Sequence, residues 1–79
     1  MLKFADLLEI YESKLEKLLN EIKTAKTLEE RNLAESRFDD ILFELSTYND
    51  KRAKYLVKKY DSKREDYKLE QEIKKREVD

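Results

Sequence analysis

The chain contains no cysteine, histidine, glycine, proline or tryptophan. Without cysteine there is no disulfide and no thiolate zinc site. Without histidine the commonest metal ligand and the usual general base are missing. Without glycine or proline, phosphate-cradling loops, left-handed turns and rigid corners are excluded as classes. Long apolar runs are absent too, Ile41-Leu42-Phe43 being typical of the longest, so no segment is expected to span a membrane. Lys3 precedes apolar residues, but Asp6, Glu9 and Glu12 break any signal-peptide core. The expected location is cytoplasmic, and the lack of cysteine fits a reducing compartment.

What is abundant is leucine, glutamate and lysine, all good helix formers. The expected class is all-α throughout. Seventy-nine residues allow one domain, spanning 1–79. A chain of that length buries a thin core, and with neither disulfide nor metal the remaining support is association.

The strongest pattern lies in Phe4, Leu8, Tyr11, Leu15, Leu18, Ile22 and Ala25. Their steps alternate four and three, a seven-residue repeat that forms one seam of a helix. This first helix is predicted over 2–23. Leu7 and Leu19 widen its seam beyond a two-helix contact. Lys3, Asp6, Glu9, Glu12, Glu16, Lys17, Asn20 and Lys23 are expected on a solvated face.

Thr27 followed by Glu30 fits a capping box and predicts the start of a second helix over 28–45. So short a link sets that helix antiparallel to the first. Its expected apolar stripe is Leu33, Ala34, Phe38, Ile41, Leu42 and Leu45, with Phe43 off it. The helix is acidic, and Glu35–Asp39 and Asp40–Glu44 are like-charge neighbours four apart.

Ser46-Thr47-Tyr48-Asn49-Asp50 is rich in residues that favour caps and turns, yet Tyr48 continues the stripe. Two architectures follow. In one the chain bends here, a third helix runs over 51–76, and an antiparallel hairpin extends to a three-helix bundle. In the other the second and third helices are continuous, roughly 70 Å long at 1.5 Å per residue. Two such chains would then form a domain-swapped dimer, with Phe38, Ile41 and Leu45 facing residues 55–62 of a second copy.

Charge divides along the chain. Residues 1–50 hold seven Lys/Arg and twelve Asp/Glu, a net of −5, and residues 51–79 hold eleven and seven, a net of +4. The acidic second helix and basic third are expected to pair. Glu70–Lys74 and Glu72–Arg76 have the favourable orientation for single-helix support. The apolar residues of the third helix are Ala53, Tyr55, Leu56, Val57, Tyr60, Tyr67, Leu69, Ile73 and Val78.

Catalysis has no candidate residues: adjacent carboxylates such as Glu29/Glu30 and Asp39/Asp40 diverge by about 100° on a helix. No cofactor or metal site is expected. The expected function is non-catalytic protein–protein interaction, by a self-associating helical adaptor, assembly factor or regulatory or inhibitory protein. Small phage-borne inhibitors and antitoxins share this size. The helix-packing residues are Phe4, Leu8, Tyr11, Leu15, Leu18, Ile22, Phe38, Ile41, Leu45, Leu56 and Tyr60.

The alternative is a nucleic-acid-binding protein using the basic, tyrosine-interleaved stretch 51–68. Its contacts with nucleic acid or an acidic partner would be Lys51, Arg52, Lys54, Lys58, Lys59, Lys63 and Arg64. Buried Tyr55 and Tyr60 would favour the bundle; exposed ones flanked by lysines would favour nucleic acid. The net charge of −1 weighs against the latter. No motif carries a resemblance to a known family.

If the first seam organises the chain, Leu15→Asp or Leu18→Asp abolishes helicity or assembly. A variant with unchanged circular dichroism and unchanged mass would refute that reading.

Overall fold

A helix leaves four N–H groups unpaired at its start and four carbonyls at its end, and this chain closes them without glycine. The computed structural model describes the backbone of residues 3–78 and the side chains of residues 3–74. It contains three helices: α1 (Phe4–Thr24), α2 (Leu28–Ser46) and α3 (Lys51–Val78). The all-helical expectation holds among these residues. The boundary expected at Leu2, the Arg76 side chain of the Glu72–Arg76 pair and the Val78 side chain lie outside what is described. The helix does not run through residues 46–50; it ends at Ser46 and restarts at Lys51.

The caps explain these limits. At the start of α1, the Asp6 carboxylate accepts the Lys3 N–H at 3.3 Å. The reciprocal half is missing, because a lysine side chain has no acceptor. At α2 the Thr27 hydroxyl oxygen accepts the Glu30 N–H at 3.1 Å. Glu30 reaches back one residue further than a capping box requires, accepting from the Lys26 N–H at 3.2 Å. At α3 the Asp50 carboxylate accepts the Arg52 N–H at 2.8 Å.

No described residue has a positive φ, so a left-handed glycine cap is replaced by hydroxyls. Thr24 donates to the Asn20 carbonyl at 2.9 Å, and Ser46 and Thr47 donate to Phe43 and Glu44 at 2.6 Å each. These hydroxyls bond carbonyls in the last turns of α1 and α2.

Each helix packs on the other two. Phe4 and Tyr11 of α1 meet Tyr48 just past the end of α2, while Ala25 and Leu33 share a cleft at the far end. α2 therefore comes back along α1. α3 then follows α1 in the same sense, from Glu12–Lys59 to Glu16–Lys63. The core lies between all three, and its largest fully buried side chains are Leu15, Ile22, Phe38, Leu45 and Tyr60. Leu8, Leu18, Leu19, Ala34, Leu42, Ala53 and Leu56 complete it.

Three expectations need correction. Leu33 is not on the inward stripe of α2; it is 54% exposed. Ala34, Phe38, Leu42 and Leu45 hold that stripe, and Leu33 lies about 100° round from Ala34. Glu12 and Glu16 do not belong to a wholly solvated face, since both border α3. The cations of α3 are also shared between two helices rather than serving α2 alone.

Thr27→Ala is expected to cost about 0.5–2 kcal/mol through loss of the cap, and Thr27→Ser far less. Urea unfolding of the two variants beside the parent measures it.

Candidate interaction surface

The helix-packing residues expected from the sequence are found as follows. Leu8, Leu15, Leu18, Ile22, Phe38, Leu45, Leu56 and Tyr60 are buried, and Phe4, Tyr11 and Ile41 are half-buried against the same cluster. Leu19 and Ala53 are buried as well, as the flank and the small step that let α1 and α3 approach.

Tyr60 joins the core to the charged rim. Its ring is fully buried, and its hydroxyl donates to the Glu16 carboxylate at 2.6 Å. Burial first, and then this hydrogen bond, push the Tyr60 phenol above its ordinary value. The same bond is the main reason the Glu16 carboxyl sits below its ordinary value; burial opposes it and Lys63, 3.3 Å away, reinforces it. Lys59 reaches Glu12 at 3.5 Å one turn earlier. Glu12/Glu16 on α1 and Lys59/Lys63 on α3 are each spaced by four, so the two pairs form one ladder. Both ammonium groups also lie over the Tyr60 ring, at 5.5 and 5.0 Å.

On the other side of α3, Arg64 lies across the Phe38 ring at 5.2 Å and pairs with Asp39 and Asp61. Its side chain is only 12% exposed. Burial pulls its pKa down, and the two carboxylates outweigh that pull and keep it charged. Its Nε is buried without a hydrogen-bond partner. Lys68 approaches Glu35 at 3.8 Å, an ion pair too long to be a hydrogen bond.

The two ends of the assembly are aromatic. At one, the Phe4 and Tyr48 rings meet edge-on at 5.3 Å, and Arg52 lies 5.2 Å over Phe4 while gripping Asp50. That grip holds the Asp50 carboxyl below its usual range. The Tyr48 hydroxyl, then burial, then Glu44 raise the Tyr11 phenol. At the other end, Tyr67 lies beneath Lys23 at 5.9 Å and Arg31 at 6.0 Å.

The proposed nucleic-acid contacts thus separate. Arg52, Lys59, Lys63 and Arg64 are engaged within the chain, and Lys54 lies 3.5 Å from the Asn49 side-chain oxygen. Lys51 and Lys58 remain exposed, without an ion pair among the described residues. The two tyrosines that were to discriminate divide as well: Tyr60 is buried and Tyr55 is 63% exposed.

Large apolar side chains also remain outside the core. Leu28 and Phe43 on α2 are each 71% exposed, and Ile10, Leu33, Leu69 and Ile73 are substantially exposed. Tyr55, Leu69 and Ile73 fall within about 40° of one another around α3, on the side away from Tyr60. Among the described residues, no three His, Cys, Asp or Glu side chains gather as a metal ion would need. No described helix is long and apolar enough to cross a membrane.

Sequence reasoning missed the Tyr60–Glu16 bond and the ion pairs between α1 and α3. The matching four-residue spacings of Glu12/Glu16 and Lys59/Lys63 are the signal that would have found them. Among known proteins, no family model, no curated protein and no solved structure matches the chain.

Tyr60→Phe is expected to destabilise the chain by about 1–2 kcal/mol near neutral pH, the low side for a bond to a charged group, because Glu16 can turn to water. The contribution is present while Glu16 is ionised, since its folded pKa is depressed. It is lost as pH falls through that lowered value. The stability gap between parent and variant, followed by urea unfolding, therefore closes in acid. An unchanged gap below the ordinary carboxylate range would show that Glu16 is not the partner.

Proposed function

We propose that this chain is a non-catalytic protein–protein interaction module, a self-associating helical adaptor, assembly or regulatory protein. Its three helices act as an antiparallel bundle that presents apolar side chains outward. The observation that carries this reading is the exposure of large apolar residues on every helix, led by Leu28, Phe43 and Tyr55, beside a core of only twelve buried residues among those described. A core this small beside so many large exposed apolar side chains leaves apolar surface that a partner would cover. Caps at Thr47 and Asp50 favour association between closed bundles over exchange of α3 between chains.

The second reading, nucleic-acid binding, is favoured by exposed Tyr55 between Lys51 and Lys58. It is weakened by the engagement of Arg52, Lys59, Lys63 and Arg64 with carboxylates of the same chain. Phosphate affinity grows with the number of free cations, and of the seven expected contacts only Lys51 and Lys58 are left unengaged among the described residues.

Sedimentation velocity at about 50 µM separates the outcomes, because an interface with a Kd of ~1 µM is then mostly occupied. Self-association gives a species of at least twice the chain mass. A monomer that shifts labelled single-stranded DNA or RNA in a salt-sensitive manner would favour the second reading instead.

A further inference from the structure

α3 covers one side of the α1–α2 pair, and on the opposite side two clefts lie end to end. One, of about 350 Å³, has Leu18 and Ile41 at its floor. The other, of about 270 Å³, is floored by Ala25, Leu33 and Ala34. Both are walled by Glu21 and Arg37, so they form one continuous groove. Its apolar floor includes Leu33, the residue the α2 stripe leaves out.

The charges of this groove differ in kind from those around α3. Lys17 and Glu21 stand one turn apart on α1, and Asp40 and Arg37 face them from α2. None of the four makes an ion pair or a side-chain hydrogen bond among the described residues, whereas Glu12, Glu16, Lys59, Lys63 and Arg64 all do. Because α2 returns along α1, the signs alternate around a square: Lys17 positive, Glu21 negative, Arg37 positive, Asp40 negative.

A square of alternating charge is its own complement. Suppose two such faces meet about a two-fold axis lying in the interface. With the axis parallel to the helices, Lys17 lies over Asp40 of the second copy and Glu21 over its Arg37. With the axis perpendicular to them, Lys17 lies over Glu21 of the second copy and Arg37 over its Asp40. Either way each of these four charges meets its opposite, Lys14 and Glu30 lie beyond them toward the two ends of the groove, and Leu18, Ile41 and Leu33 are covered together. A two-fold interface uses one patch on both copies, so it requires a surface with this property. The four charges cancel, which gives a polyanion or a strongly charged peptide no purchase.

We propose that this groove seats a second copy of the same chain, in a two-fold dimer with the α1–α2 faces together and α3 outside. The proposal rests on the self-association reading and names its face. It is tested by sedimentation velocity on the full chain at about 50 µM, with circular dichroism as the check on folding. The parent sediments at twice the chain mass. Leu33→Asp and Glu21→Lys each weaken dimerisation by about tenfold or more, with helicity unchanged, the first because it buries an unpaired carboxylate on the groove floor and the second because like charges then meet across the axis. Recovery of the dimer by Glu21→Lys with Arg37→Glu assigns the parallel axis; recovery by Glu21→Lys with Lys17→Glu assigns the perpendicular one. A monomeric parent overturns both this proposal and the self-association reading. A dimer that ignores both single variants overturns the face alone. Recovery by neither double variant overturns the self-complementary arrangement.

Discussion

A fully buried phenol must place its hydroxyl somewhere, and the third helix depends on where Tyr60 places it. The ring is fully buried in the core cluster that also holds Leu15, Phe38 and Leu45, where a smaller aliphatic side chain would leave a void. The hydroxyl then needs an acceptor at the edge of the core, and Glu16 supplies it. That carboxylate also draws in Lys63, and the same register places Lys59 on Glu12. One hydrophobic requirement thereby sets the longitudinal position of α3 on α1. Arg64 performs a similar task toward α2, with an aromatic face below it and carboxylates beside it.

The rim charges contribute unequally. Exposed ion pairs such as Lys63–Glu16 add little to stability alone. Their value here is in register, because α3 is poor in large apolar residues and a slip of one residue either way would put charged residues at two of the three positions now held by Ala53, Leu56 and Tyr60. Tyr60, Leu56 and Ala53 at steps of four and three are the main apolar grip α3 has in the centre of the core. The local grip of Arg52 on Asp50 fixes where that helix begins.

Much of this was legible in the sequence, for identifiable reasons. The seam from Phe4 to Ile22 repeats cleanly, and periodicity over that length has one physical interpretation. Thr27 with Glu30 marked a helix start because the pair, common by chance elsewhere, falls where the seam of α1 ends. Leu33 misled because it is adjacent in sequence to the true stripe, and composition does not reveal which neighbour turns inward. The 46–50 stretch was ambiguous because no glycine or proline forces a stop; the break rests on hydroxyl and carboxylate caps whose geometry is three-dimensional. The α1–α3 ladder was hidden by net charge, which pointed to the acidic second helix while the carboxylates actually met by Lys59 and Lys63 lie on the first. The candidate surface was only partly legible, since its outward residues are recognised by what they fail to touch.

The two short, proline-free connections have a kinetic consequence. A chain without proline has no slow peptide isomerisation, and without cysteine it has no thiol shuffling. Successive helices are joined by links of three or four residues, so most partners are close along the chain and loop closure is quick. Only α1 with α3 requires a long-range encounter, and that encounter becomes local once α2 has turned back. The absence of glycine thus does more than shape the ends of the helices: it leaves an unfolded chain with fewer backbone conformations to search than one with flexible hinges. Speed of assembly and sharpness of the turns come from the same restriction in residue types.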